Sequence, residues 1–234
     1  MNLAIIGCSY SNFWDGDIFG KTYPKLIADD YPDINIYDAS LGGAGNDSCY
    51  LRLQNIEKNF GSIDKIIVQL TLPYRSTVVL NKKAIKSFMQ WEHENNYYYS
   101  GQSSRREIKG CIFITPGSIR EHSFLINWKK YFKARYHAID YFHAWVNSYD
   151  VFWQIQKEID LINSKYGEEN VLFFSWLKED RKSVSLPKNY VGSVQEKFGT
   201  DMEKYSIDKV LHFNEEGHKA IYKWLNPYIK PMVS

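Results

Sequence analysis

A chain of 234 residues with 44% hydrophobic content has the composition of one globular domain with insertions. Its 29 basic and 27 acidic side chains leave a formal charge of +2, too slight to argue for a nucleic-acid or membrane partner, and no apolar run approaches membrane-spanning length. Cys8, Cys49 and Cys111 are odd in number and lack metal-ligand spacing, so neither a disulfide framework nor a metal site is expected.

The first strand is expected at residues 3–6, a continuous apolar run of the kind that fills the centre of a parallel sheet. Gly7 then lets the backbone turn, so that the hydroxyl of Ser9 stands at the strand's C-terminal end, where α/β sheets carry their chemistry. Cys8 beside it reads as a small buried residue. After loop-like residues 12–21, Thr22 as cap and Pro24 in the first turn open a helix.

A second strand at 34–37 runs into a glycine-rich loop, Asp38-Ala39-Ser40-Leu41-Gly42-Gly43-Ala44-Gly45-Asn46-Asp47, whose backbone can approach a ligand closely. The next helix carries Cys49, Leu53, Ile56 and Phe60 at helical spacing. Residues 66–70 form a third, fully covered strand. Periodicity then lapses from about 76 to 122, around a strand at 111–115, and an insertion over the catalytic edge of the sheet is expected there.

Helical periodicity resumes over 128–166, with Phe152, Ile155, Ile159 and Ile162 on one face. Residues 171–174 read as the fourth strand, followed by a polar loop region with Pro187 and Gly192. Asn214 is placed to cap a closing helix with Glu215 and Glu216 in its first turn and Ile221, Trp224 and Leu225 inside.

Ser9 and, near the other end, His212 with Asp208 upstream supply a nucleophile, a base and a carboxylate. A serine hydroxyl becomes nucleophilic when a base lies within hydrogen-bond reach and a third group fixes the tautomer of that base. Each residue also has a structural reading: Ser9 as a turn cap, His212 as a packed helix-entry residue, Asp208 as a turn former. The remaining histidines, His93, His122, His137 and His143, show no ligand pairing, so no metal or cofactor is expected. Most of the 18 tyrosines and 7 tryptophans belong to core or half-buried surface rather than to a sugar-stacking platform.

Taken in order, these stretches resemble the sequence blocks of the SGNH/GDSL hydrolases, a family of esterases and lipases. Gly7-Cys8-Ser9 resembles the Gly-Asp-Ser block with Ser9 as nucleophile, and Tyr23-Pro24-Lys25-Leu26-Ile27-Ala28 the helix after it. Residues 38–45 resemble the second block, with Gly43 at the glycine whose N–H joins that of Ser9 in the oxyanion hole. Asp208 and His212-Phe213-Asn214-Glu215-Glu216-Gly217-His218 resemble the last block, Asp-x-x-His-Pro-Asn-x-x-Gly-His, in which the second histidine is structural. Three positions depart from the family pattern. Cys8 replaces the acidic residue, Asp208 precedes His212 by four residues instead of three, and Thr71-Leu72-Pro73-Tyr74 replaces Gly-x-Asn-Asp. The oxyanion asparagine is therefore missing, and Thr71, Arg75 or Asn46 would have to substitute for it.

The resemblance implies a three-layer α/β fold with a flavodoxin-like parallel sheet of about five strands in the order 2-1-3-4-5. It also implies hydrolysis of a carboxylic ester through an acyl-enzyme, with O-acetyl or another small acyl ester on a carbohydrate among the expected substrates. The alternative is a catalytically silent module of the same fold that binds a sugar or acidic ligand in the cleft. A flavodoxin-like nucleotide binder ranks below both, because residues 42–45 have neither the P-loop lysine nor G-x-G-x-x-G spacing. A single domain over 1–234 and a cytoplasmic location without signal peptide are further expectations.

Overall fold

The structure, a computed structural model, describes residues 1–11, 15–16, 20–40, 45–71, 76–79, 111–114, 151–178, 185–207 and 212–234; Ser9, 15–16, 76–79, 111–114 and 151–152 are described as backbone. Strands β1 (Asn2–Ile6), β2 (Asn35–Asp38), β3 (Lys65–Leu70), β4 (Val171–Ser175) and β5 (Tyr190–Ser193) form one sheet, in the order 2-1-3-4-5 and parallel throughout. This is the expected α/β topology.

Alternation along the strands builds two cores. Leu3, Ile5, Ile67, Leu172 and Phe174 face one side, where helices α1 (Tyr23–Asp30) and α6 (Glu215–Val233) cover them with Tyr23, Ile27, Ile221, Leu225 and Ile229. Ala4, Ile6, Ile66, Val68, Val171 and Phe173 face the other, under Leu53 and Ile56 of α2 (Cys49–Phe60) and Ile155, Ile159 and Ile162 of α3 (Val151–Tyr166). Central parallel strands are thus apolar on both faces, which is why they read as unbroken runs.

Several local expectations need correction. The region after β4 read as polar loop contains β5 and two short helices, α4 (Val194–Phe198) and α5 (Asp201–Tyr205). β5 is a four-residue edge strand with Gly192 at φ +119, so it shows no alternating run. Thr22 occupies the N-cap position of α1 without a capping bond from its side chain, whereas Asn214 accepts from the Gly217 N–H at 2.9 Å. Phe60 ends α2 in solvent, 41% exposed and stacked on Tyr37 at 4.8 Å, instead of joining the core. The side chain of Phe152 and residues 128–150 lie outside the described residues.

The strand expected at 111–115 is Cys111–Ile114, paired antiparallel with Ser76–Val79. Ser76–Val79 lies beside the 3-10 turn Asn46–Ser48, which leads from the glycine-rich loop into α2. Among the described residues no helix is long and apolar enough to cross a membrane.

Candidate active site

The C-terminal end of β1 turns through a short 3-10 segment, Ser9–Ser11, closed by the Ser11 N–H on the Cys8 carbonyl at 3.0 Å. Beneath it Gln69, buried in the middle of the sheet on β3, offers a single oxygen to three donors. Its Oε1 accepts the Cys8 N–H at 3.1 Å, the Cys8 thiol at 3.3 Å and the Ser11 hydroxyl at 3.1 Å. Ser11 Oγ in turn accepts the Tyr23 hydroxyl at 2.7 Å. The turn carrying Ser9 is therefore tied to β3 at both of its ends and to α1 at Ser11. Gly7 makes this approach feasible, since a Cβ there would meet Ser11 Cβ at 2.6 Å and Gln69 Oε1 at 2.8 Å.

Arg52 performs the same service for the ends of β1 and β2. Its guanidinium is 1% exposed and donates to the carbonyls of Gly7 and Ala39, both at 2.7 Å. Carbonyl oxygens have two lone pairs and tolerate a buried cation that closes on them, which anchors α2 under both loops. Asn46 joins the exit of β3 to the turn before α2. Its amide nitrogen donates to the Thr71 carbonyl at 2.9 Å while its Oδ1 accepts the Thr71 N–H at 2.8 Å.

The third component comes from the far end of the chain. Tyr10 stacks on Trp176 with ring centroids 4.3 Å apart and planes 5° from parallel. The His212 ring sits 4.8 Å from Tyr10, tilted by 46°. His212 is held by its backbone: its carbonyl accepts the Ile207 N–H at 2.8 Å, and an antiparallel bridge joins Phe213 to Ser206. Phe213 is buried against Trp176, with ring centroids 4.8 Å apart and planes inclined by 63°. His218, one turn into α6, is buried beside the Tyr23 ring, and burial, reinforced by His212, pushes its imidazole down to about 3. It is neutral at physiological pH.

No protein-family model and no curated protein matches the chain. Among solved structures it is similar to that of TesA, with 10% identity over 99% of both chains and a TM-score of 0.47. It is similar also to the psychrotrophic esterase EstA from Pseudoalteromonas sp., in a form inhibited by monoethylphosphonate: 9% identity, 98% of this chain, 97% of that chain, TM-score 0.48. A lipase/acylhydrolase from Enterococcus faecalis has 10% identity over 98% of this chain and 95% of that chain, with a TM-score of 0.44. The fold itself is read from strand order and the two helix layers.

Of the residues singled out in the sequence, the backbone of Ser9, and Asn46, Thr71 and His212 are described. Asn46 and Thr71 meet each other, and His212 meets the neighbour of Ser9. The side chain of Ser9, and Gly43, Arg75 and Asp208, lie outside the described residues, as do His93, His122, His137 and His143. Among the described residues no three His, Cys, Asp or Glu side chains gather as a metal site. Sequence reasoning missed Gln69, Arg52 and Trp176. Two of them carried a signal: Gln69 interrupts the apolar run of residues 66–70, and Arg52 falls on the apolar face of α2 between Cys49 and Ile56.

Proposed function

We propose that the protein is a serine ester hydrolase acting at the C-terminal edge of β1 and β3. Ser9 Oγ attacks the ester carbonyl as His212 takes its proton, and Asp208 orients the imidazole. Collapse of the tetrahedral intermediate returns the proton to the departing alcohol and leaves an acyl-Ser9, which water, activated by the same histidine, hydrolyses to the free acid. The N–H groups of Ser9 and Gly43 hold the oxyanion. Loss of the asparagine of Gly-x-Asn-Asp costs ~10²–10³ in rate unless another donor stands in. Thr71, Arg75 and Asn46 are the candidates, and the one amide hydrogen that Asn46 gives to Thr71 leaves it a second. Small acyl esters, including O-acetyl groups on a carbohydrate, fit this chemistry. The chain acts as a single domain, with the segment at about 76–122 shaping the substrate side.

The observation that supports this reading best is the contact of His212 with Tyr10, the residue that follows Ser9. It brings the two ends of the chain to one sheet edge. A silent binding module in the same cleft is the competing reading, favoured by Pro73 at the asparagine position. Turnover of nitrophenyl acetate, with a fluorophosphonate adduct mapped by mass spectrometry, separates the two. Hydrolysis abolished in Ser9→Ala and an adduct on Ser9 are expected. Equal turnover by wild type and Ser9→Ala would remove Ser9 as nucleophile, and absence of both turnover and adduct would favour the binding module.

A further inference from the structure

We infer that Tyr10 and Trp176 are positioning residues for His212: a stacked aromatic pair that sets where the imidazole stands relative to the Ser9 turn. The inference deepens the hydrolase reading above, in which His212 is the base. Trp176 follows β4 directly and is fixed through its backbone. Its N–H donates to the Leu70 carbonyl at the end of β3 at 3.4 Å, and its carbonyl accepts the Gln195 N–H of α4 at 3.0 Å. From that fixed base its ring meets both halves of the candidate site. Its face carries Tyr10, the neighbour of Ser9, and it makes an inclined ring contact with Phe213, the neighbour of His212. His212 completes the circuit by resting against Tyr10. Moving either ring would change the separation between the segments that bear nucleophile and base.

The rings are chosen for packing. Tyr10 is 6% and Trp176 1% exposed, so the pair forms a wall within the protein and offers no open face for a sugar to stack on. The indole N–H of Trp176 has no hydrogen-bond partner among the described residues. Its substitution by phenylalanine therefore removes ring area without orphaning a partner. Catalysis is sensitive to such geometry, since a displacement of about 1 Å at a reacting group can lower the rate ~10²-fold.

Proton NMR of the His212 ring, assigned by comparison with His212→Ala, tests the contact without reference to activity. Its ring protons should resonate upfield of a free histidine because they lie beside Tyr10; that shift should persist in Tyr10→Phe and vanish in Tyr10→Leu. Kinetically, Tyr10→Leu and Trp176→Leu should lower kcat at least about tenfold with little change in KM, and Tyr10→Phe and Trp176→Phe should recover most of the loss. A wild-type His212 spectrum at free-histidine positions overturns the inference, and needs no variant to fold. So does an undisturbed kcat in folded leucine variants that have lost the upfield shift. A chain with the upfield shift but no esterase activity in any form would overturn the hydrolase reading while leaving the ring contact established.

Discussion

Asn46 and Thr71 face each other through two hydrogen bonds that reproduce a rung of sheet pairing, with a side-chain amide in place of a second backbone. The amide donates to the Thr71 carbonyl at 2.9 Å and accepts the Thr71 N–H at 2.8 Å, and both residues are buried. The exit of β3 is thereby locked to the turn that begins α2.

Asn46→Ala should remove both hydrogen bonds that the Asn46 amide makes to the buried Thr71 backbone and lower the unfolding free energy by roughly 2–4 kcal/mol. The denaturant midpoint, at unchanged slope, reads this directly. A midpoint equal to wild type would mean that the rung does not form in solution.

Gly7→Ala should be costly for a different reason. The added methyl would come within 2.6 Å of Ser11 Cβ, and the Gln69 carboxamide oxygen at 2.8 Å leaves it no room to move aside. Overpacking of this kind costs about 1–3 kcal/mol. Because the strain falls on the turn that carries Ser9, kcat should drop more than KM. A stable, fully active Gly7→Ala would contradict the tight approach of Gln69.

Glu158 gives the fold a pH dependence near neutrality. It accepts the Tyr50 N–H in the first turn of α2 at 2.8 Å, and burial raises its carboxyl from 4.5 to about 7. Asp47 adds to the rise; the Tyr50 N–H, Arg52 and Lys157 oppose it. The folded chain therefore holds this proton where the unfolded chain has lost it. The resulting stabilisation is complete below the unfolded value and disappears as pH rises through the folded one. Glu158→Gln keeps the acceptor and removes the charge, so its stability relative to wild type should increase between about pH 5 and pH 8. Parallel stability profiles across that range would exclude the effect.

Asp208→Asn tests the carboxylate that stands one residue farther from the histidine than the family pattern has it. If Asp208 orients His212, turnover should fall at least about a hundredfold through the wrong tautomer. A near-normal rate, with His212→Ala inactive, would leave a Ser-His dyad.

Arg75→Ala addresses the missing asparagine. Pro73 cannot donate from its backbone, whereas a guanidinium can hold an oxyanion or an acidic group of the substrate. The proposal predicts a loss in kcat/KM of at least about tenfold, near 1.4 kcal/mol of transition-state stabilisation. A fall in kcat would assign Arg75 to the oxyanion, and a rise confined to KM would assign it to substrate anchoring. Unchanged constants on both a neutral and an acidic ester would turn attention to Thr71 and Asn46.

Most of the sheet was legible because burial on two sides writes itself into the chain as apolar runs. β1, β3 and β4 each appear within a residue or two of their expected bounds, and α6 begins at the cap that Asn214 announces. β5 left no such trace, since an edge strand of four residues with a glycine in it needs little apolar sequence. Phe60 kept the helical period of α2 but stood on its last turn, beyond the cover of the sheet.

Residue types and their order along the chain are properties of the sequence alone: a serine after a glycine at a strand end, a histidine ahead of a capped helix, a glycine-rich loop between them. Which of these groups touch was decided by strand order and register. Pairing β1 with β3 brings Gln69 under residues 8–11, and pairing β3 with β4 brings Trp176 to the same edge, where Tyr10 and Phe213 close on it. Periodicity reports only whether a side chain is covered. The partner that covers it is set by contacts between segments far apart in sequence, and those exist only once the sheet is assembled.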